Sequence, residues 1–299
     1  MAPIISIIAV GAMGGAVARK LTESGVTVLT HLEGRSERTR RRAQESGAAE
    51  ASLKEIIQRS DFILSILPPS EAFTLAQTIF QELVSHPRVA QPRLIYVDCN
   101  AVNDKTVRRI SELFRGSPVA FVDASIIGGP PNGTYNPTFY ASVDPGDREA
   151  LDSFVNLTSW GLYIKALAGE GGRVGDASAL KMSYAGITKG ITGLLATMVL
   201  AAHASSPATA EALIAELINS QPEVLRHITL SVPRMIPKAY RFIGEMQEIS
   251  EFVGEGQGDV HRGLSKLYER VENSVEGDRK DIEVLEQFVS AAEKALQGA

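Results

Sequence analysis

The stretch Ile4-Ile-Ser-Ile-Ile-Ala-Val-Gly-Ala-Met-Gly14 decides how the first half of the chain folds. An apolar run of strand composition ends at Val10 in a turn containing Gly11 and Gly14, and Ala12 to Glu23 continues with helical composition until Gly25 stops it. That order is strand, turn, helix. The spacing is a variant of G-x-G-x-x-G in which Ala9 holds the first glycine position. Such a turn lets a pyrophosphate reach the backbone N–H groups of a helix N-terminus with no side chain in the way, and the helix dipole favours an anion there. Gly11, Ala12, Met13 and Gly14 are therefore the candidate pyrophosphate cradle of a dinucleotide cofactor.

Working outward, Val26 to His31, Phe62 to Leu67 and Leu94 to Val97 are further apolar runs separated by helix-like stretches. The alternation predicts an α/β fold of the Rossmann type, a doubly wound parallel sheet with helices on both faces. Ala120 to Ile127, Thr138 to Val143 and Gly161 to Ala166 read as strands that complete it. Gly169, Gly171, Gly172 and Gly175 then mark a join, and no comparable strand follows. Asp176 to Ala204 reads as one long interdomain helix, about 43 Å at 1.5 Å per residue. Amphipathic stretches follow at Ala208 to Ile218, Pro237 to Phe252, Val260 to Val271 and Asp281 to Leu296. The expected organisation is a dinucleotide-binding domain over 1–168 and an all-helical domain over 169–299, the latter for substrate binding and dimerisation.

With 299 residues the chain has room for two cores, and 44% hydrophobic against 22% charged residues is ordinary globular composition. A formal net charge of -5 lacks the concentrated basic excess that phosphate backbones demand, so nucleic acid is not an expected partner. The single cysteine, Cys99, forbids an intrachain disulfide and suits a reducing, cytoplasmic address. The apolar opening has no basic residue ahead of it and is broken by glycines, unlike a signal peptide. Gly190 to Ala210 carries no Asp, Glu, Lys or Arg and is long enough to span a bilayer, but its threonines, His203, Ser205, Ser206 and Pro207 suit a helix buried in protein, so no membrane is expected. His203, His227 and His261 have no ligand-like spacing, and no metal is expected.

The choice of cofactor turns on the end of the second strand, where an acid marks NAD and an arginine facing a 2′-phosphate marks NADP. Glu33 is acidic, yet Arg35 and Ser36 follow in the loop where that phosphate would lie. NADP(H) is thus expected over NAD(H). The run Arg38, Arg40, Arg41 and Arg42 also reads as a solvated helix face.

Several segments, taken together, resemble the β-hydroxyacid dehydrogenase family, which includes 3-hydroxyisobutyrate and 6-phosphogluconate dehydrogenases and the related imine reductases. The resemblance runs through the Gly-x-Met-Gly turn, Asp61-Phe-Ile-Leu-Ser-Ile-Leu-Pro68, Val97-Asp-Cys-Asn100, Phe121-Val-Asp-Ala124 with Gly128-Gly129, and Gly172-x-x-Gly175 followed by Ala179-Leu-Lys181. Pro237-Lys-Ala-Tyr-Arg241 and Gly244-Glu-Met-Gln-Glu-Ile249 are similar to the C-terminal domain of a phosphogluconate dehydrogenase-like subgroup. The resemblance implies a homodimer interlocked through the helical domains, Leu67, Pro68 and Asn100 at the cofactor, and Lys181 as the general acid/base. An ammonium in an apolar cleft beside a positively charged nicotinamide would also have its pKa lowered towards neutrality.

Helical spacing puts Tyr184 and Thr188 near the face of Lys181, at i+3 and i+7. Three positions depart from the dehydrogenase pattern. Ala185 replaces an asparagine, Ile127 the serine before the paired glycines, and Asn100 the serine of the Asp-x-Ser segment. Gly128 and Gly129 offer backbone N–H groups to a carboxylate, and Asn100 a bond to a hydroxyl or carbonyl. Ile126 and Ile127 nevertheless make the pocket more apolar than one built for a sugar acid. The expected activity is an NADP(H)-dependent dehydrogenase or reductase of a hydroxyacid or related carbonyl. An imine reductase or reductive aminase is one alternative, and a non-catalytic NADP(H)-binding regulatory protein another.

Overall fold

Ile5 and Ile7 of the first strand pack into one apolar core while Ile4 and Ile8 pack into another, so the strand is covered on both faces. The same alternation recurs on neighbouring strands, with Phe62, Leu64, Val97 and Val122 on the first side and Ile63, Tyr96 and Phe121 on the second. The computed structural model describes residues 2–88, 92–169 and 171–298, which fall into two compact units, Met1–Met182 and Ser183–Ala299. The glycine-rich join lies within the first.

In that unit the elements run β1 (Ile4–Ile8), α1 (Ala12–Glu23), β2 (Thr27–Thr30), α2 (Glu37–Glu45), β3 (Ala49–Glu50), α3 (Leu53–Arg59), β4 (Phe62–Ser65), α4 (Pro69–Ser85), β5 (Ile95–Asp98), α5 (Asp104–Phe114), β6 (Ala120–Ile127), β7 (Thr138–Ser142), α6 (Arg148–Val155) and β8 (Tyr163–Ala166). One sheet of order β3-β2-β1-β4-β5-β6-β7-β8 contains all eight strands. The sheet is the expected doubly wound one, with a departure at β7, which runs antiparallel to β6. Ile8, Ser65, Asp98 and Asp123 are successive register partners on β1, β4, β5 and β6. This row marks the carboxyl edge, where open α/β sheets bind ligands.

The helix α7 (Asp176–Ser205) begins in the first unit and continues into the second, close to its expected limits. It is the one helix among the described residues long and apolar enough to cross a bilayer, although Met182, Ala185, Ala196, Val199 and Leu200 are buried by protein. After it come α8 (Pro207–Ser220), α9 (Pro222–Met235), α10 (Ala239–Val253), α11 (Asp259–Glu276) and α12 (Lys280–Gly298). Their core is built on Leu225, Ile228, Met246, Tyr268 and Leu285. Tyr268 closes it with a hydroxyl bond to the Lys189 carbonyl at 2.5 Å, and the Lys189 ammonium pairs with buried Glu245. No expectation covered α9: Pro222 opens it and Pro233 lies inside it, a pattern that reads as breakage.

The turn after β1 explains the glycine preference of the fingerprint. Ala9 has φ 68°, a left-handed conformation in which a Cβ is strained by about 1–2 kcal/mol. At Gly14 a Cβ would come within 2.6 Å of the Ala9 carbonyl oxygen, so that glycine is obligatory. Ala9→Gly relieves the first strain at some cost in unfolded-chain entropy, and we expect a net gain of about 0.5–1 kcal/mol. Thermal denaturation should show a Tm higher by about 1–3 °C; a lower Tm would contradict the strain.

Candidate active site

The helix α1 starts on Gly11 with no side-chain cap and no acid in its first turn. Gly11 N–H is folded back onto the Ala9 carbonyl at 2.8 Å, and the helical ladder begins only with Gly15 donating to Gly11 at 2.9 Å. The amides of Ala12, Met13 and Gly14 therefore precede the ladder, and a Cβ on Gly11 would meet nothing within 4 Å. An uncapped, acid-free helix start facing open space fits a pyrophosphate.

One residue of this cradle was not legible as such. Arg42, on α2, lays its stem against Gly15, where a Cβ would come 2.8 Å from Arg42 Cδ, and its Nη1 donates to the Val10 carbonyl at 3.2 Å. The arginine run is thus more than a solvated face. Arg40 Nη2 donates to the Leu32 carbonyl at 2.7 Å and its Nη1 pairs with Glu50 at 3.5 Å, while Arg41 pairs with Glu45 at 4.0 Å. Arg35 and Arg38 take part in no ion pair among the described residues. Arg35 sits in a loop closed by its own N–H to the Leu32 carbonyl at 3.1 Å, and Ser36 caps α2 by accepting from Thr39 N–H at 3.4 Å. Glu33 is exposed and lies 3.7 Å from His31.

At the carboxyl edge of β4 and β5, Asn100 is 2% exposed and its side chain is engaged on both ends. Its Oδ1 accepts from Leu67 N–H at 2.7 Å, and its Nδ2 donates to Ser65 Oγ at 2.8 Å and Asp98 Oδ2 at 3.0 Å. Asn100 thereby fixes the backbone leading to Pro68, itself exposed at the start of α4. Beneath it lie Asp98 and Asp123, 1% and 0% exposed. Burial pushes the Asp98 carboxyl up to about 7, opposed by its bonds from Asn100 and by the Lys181 ammonium and reinforced by the charge of Asp123. Asp123 is also raised by burial, against the bonds that it accepts from Ser178, Gly175 and Ser142. The buried Cys99 thiol is raised by burial and by Asp98, with Lys181 opposing. Lys181, half-buried on α7, is therefore electrostatically tied to this cluster.

At the end of β6, Ile127 is half-buried, and just beyond it Gly128 has φ 132°. Gly129 N–H donates to the Tyr135 hydroxyl at 3.1 Å, and a Cβ on Gly128 would lie 2.2 Å from that oxygen. Tyr135 was not anticipated here. Its position comes from the Asn132–Tyr135 bridge across Gly133, a turn whose Asn-Gly signal stands in the sequence. In the second unit Tyr184 is exposed, Ala185 is buried, and Thr188 Oγ1 donates to the Tyr184 carbonyl at 3.0 Å.

A family model described as the NAD binding domain of 6-phosphogluconate dehydrogenase matches residues 4–160, more than half of the chain. The chain belongs to that family. It therefore carries a nicotinamide-dinucleotide-binding domain, and a second match, over residues 204–271, is to a domain of unknown function, DUF1932. No curated protein matches. Among solved structures, MTH1747, a conserved protein of unknown function described as similar to 3-hydroxyacid dehydrogenases, is 26% identical with a TM-score of 0.65, over 90% of this chain and 97% of its own. The 3-hydroxyisobutyrate dehydrogenase of Mycobacterium tuberculosis, solved with L-serine, is 14% identical with a TM-score of 0.63, over 90% and 94%. An imine reductase from Myxococcus stipitatus in complex with NADP+ is 17% identical with a TM-score of 0.54, over 96% and 100%. The last two likenesses establish a shared fold.

The Asp98 carboxyl makes pH a probe of the site. Because its folded pKa is raised from 3.8 to about 7, the stability it contributes is full below about 3.8 and is lost as pH rises through about 7. In thermal melts the wild type should lose more Tm between pH 5 and 8 than Asp98→Asn does. Parallel pH profiles would contradict the assignment.

Proposed function

We propose that the protein is an NADP(H)-dependent oxidoreductase of a hydroxyacid or related carbonyl compound, with Lys181 as the general acid/base. The observation that carries the reading is that the helix bearing Lys181 starts on buried Asp123 at the sheet edge shared with the uncapped α1 turn, where the Lys181 charge is coupled to the neighbouring Asp98 carboxyl. When bound, a nicotinamide supplies or accepts a hydride. The chain's own part is to hold that cofactor and manage one proton. Ala12, Met13 and Gly14 bind pyrophosphate through their amides, Leu67 and Pro68 border the cofactor on the loop that Asn100 fixes, and Arg35 with Ser36 receives a 2′-phosphate. The Lys181 ammonium donates a proton to the substrate oxygen in reduction, and the neutral amine takes it back in oxidation. Half-buried Ile127 supplies apolar surface at the end of β6, where an acidic or sugar substrate would need a polar anchor, whereas Ala185 is buried by protein and offers a substrate none; this supports a less polar carbonyl and keeps reductive chemistry on imines as the second reading. Tyr184 and Thr188 are proposed as substrate contacts on α7 by their helical spacing from Lys181 alone.

The protein is proposed to be a cytoplasmic homodimer. Ile187, Ile191, Leu194 and Met198 are 63%, 46%, 56% and 53% exposed along α7. Their three-and-four spacing makes a narrow apolar seam of the kind that pairs with another helix, and a second copy of the seam is its self-complementary partner.

Two measurements test these readings. Assayed on a panel of 3-hydroxyacids, ketones and cyclic imines, Lys181→Met should lose at least about 100-fold in turnover while still binding NADPH, and Arg35→Ala should erase a preference for NADPH over NADH; full activity of Lys181→Met removes the acid/base role. Sedimentation should give a dimer that Leu194→Glu splits, and a monomeric wild type removes the dimer.

A further inference from the structure

Asp98 and Asp123 hold paired positions on β5 and β6, and strands in register send such residues to the same face of the sheet. Both are buried, and side-by-side carboxylates out of water are costly unless their charge is answered. For Asp123 the answer is the start of α7. Its Oδ2 accepts from Gly175 N–H at 2.9 Å, Ser178 N–H at 3.1 Å and the Ser142 hydroxyl at 3.1 Å, and its Oδ1 accepts from the Ser178 hydroxyl at 2.8 Å. A carboxylate taking amides at a helix N-terminus caps it and complements its dipole. Lys181 follows Ser178 by three residues, about one turn along the same helix.

Asp98 receives Asn100 N–H at 3.0 Å and Asn100 Nδ2 at 3.0 Å. The titratable groups that act on it or feel it are Asp123 from β6, Lys181 from α7, and Tyr96 and Cys99 from its own strand and the loop after it. Lys181 is the cation of this set. We infer that the Asp98–Asp123 pair is the positioning element of Lys181, Asp123 fixing where its helix begins and Asp98 serving as counter-charge to its ammonium. The inference rests on the reading of Lys181 as proton carrier and adds what makes it one. The lysine is placed by the sheet, and its loss of a proton is felt at once by a carboxyl on β5. When the ammonium is neutral, Asp98 holds a proton more tightly, so the cluster resists a change of net charge as the lysine cycles.

The test uses the full-length protein labelled with 13Cγ-aspartate and followed by NMR across pH without substrate, the Asp98 resonance being identified by its loss in Asp98→Asn. Lys181→Met should raise the Asp98 midpoint, about tenfold in proton affinity, while the charge-preserving Lys181→Arg stays near the wild type. Asp123→Asn should lower it and should speed amide exchange at Gly175 and Ser178 by about tenfold or more, as expected for loss of a charge-assisted cap. If Asp123→Asn does not fold, the two Lys181 variants decide alone. An Asp98 midpoint unmoved in Lys181→Met overturns the inference. Inactive Lys181→Met with an unmoved midpoint removes the carboxylate pair and leaves the proton carrier, whereas active Lys181→Met with a raised midpoint removes the proton carrier and leaves the pair.

Discussion

A carboxylate fully out of water has to be answered by donors, and Asp123 is answered by the first turn of α7. That requirement locks the sheet to the helix more firmly than apolar contact would, because a misplaced helix would strand a charge in the core. The row Ile8, Ser65, Asp98 and Asp123 then carries the lock across to β1, where the α1 turn begins. The proposed proton carrier and the dinucleotide turn thus share one rigid reference, the carboxyl edge of the sheet.

Much of this was legible because it depends on apolar periodicity. The strands and the long α7 are runs whose composition leaves few alternatives, and the glycine turn is a steric pattern that must be visible in the sequence. What escaped depends on partners distant along the chain. Whether β7 pairs parallel or antiparallel is set by its neighbours rather than by its own residues, and two-residue β3 is a strand only because β2 lies beside it. Arg42 belongs to a run of charges, and its role rests on the absence of a side chain at Gly15, 27 positions earlier. Asp98 and Asp123 each carry one letter of a recognisable segment, yet that they stand side by side is a fact of register.

The expected site residues divide along the same line. Those on the turn have backbone roles that local sequence dictates. Asn100, expected at the cofactor and the substrate, has its amide committed to Leu67, Ser65 and Asp98. Its proposed part in cofactor binding is then to hold the loop that its amide fixes. Gly129, expected as an open donor, is met by a phenol from a turn six residues on. In both cases a polar group read as facing a ligand is also bonded within the scaffold that shapes the space.

The bracing of the α1 turn has a thermodynamic reading. Arg42 holds the Val10 carbonyl, Gly11 is bonded back onto Ala9, and Gly14 lies against the same carbonyl oxygen. All of these bracing contacts are made within the chain, and a turn so held has little chain entropy to lose on association. Such a preorganised surface binds without a preceding rearrangement, and differences in affinity between related dinucleotides are then decided mainly by how slowly each one leaves.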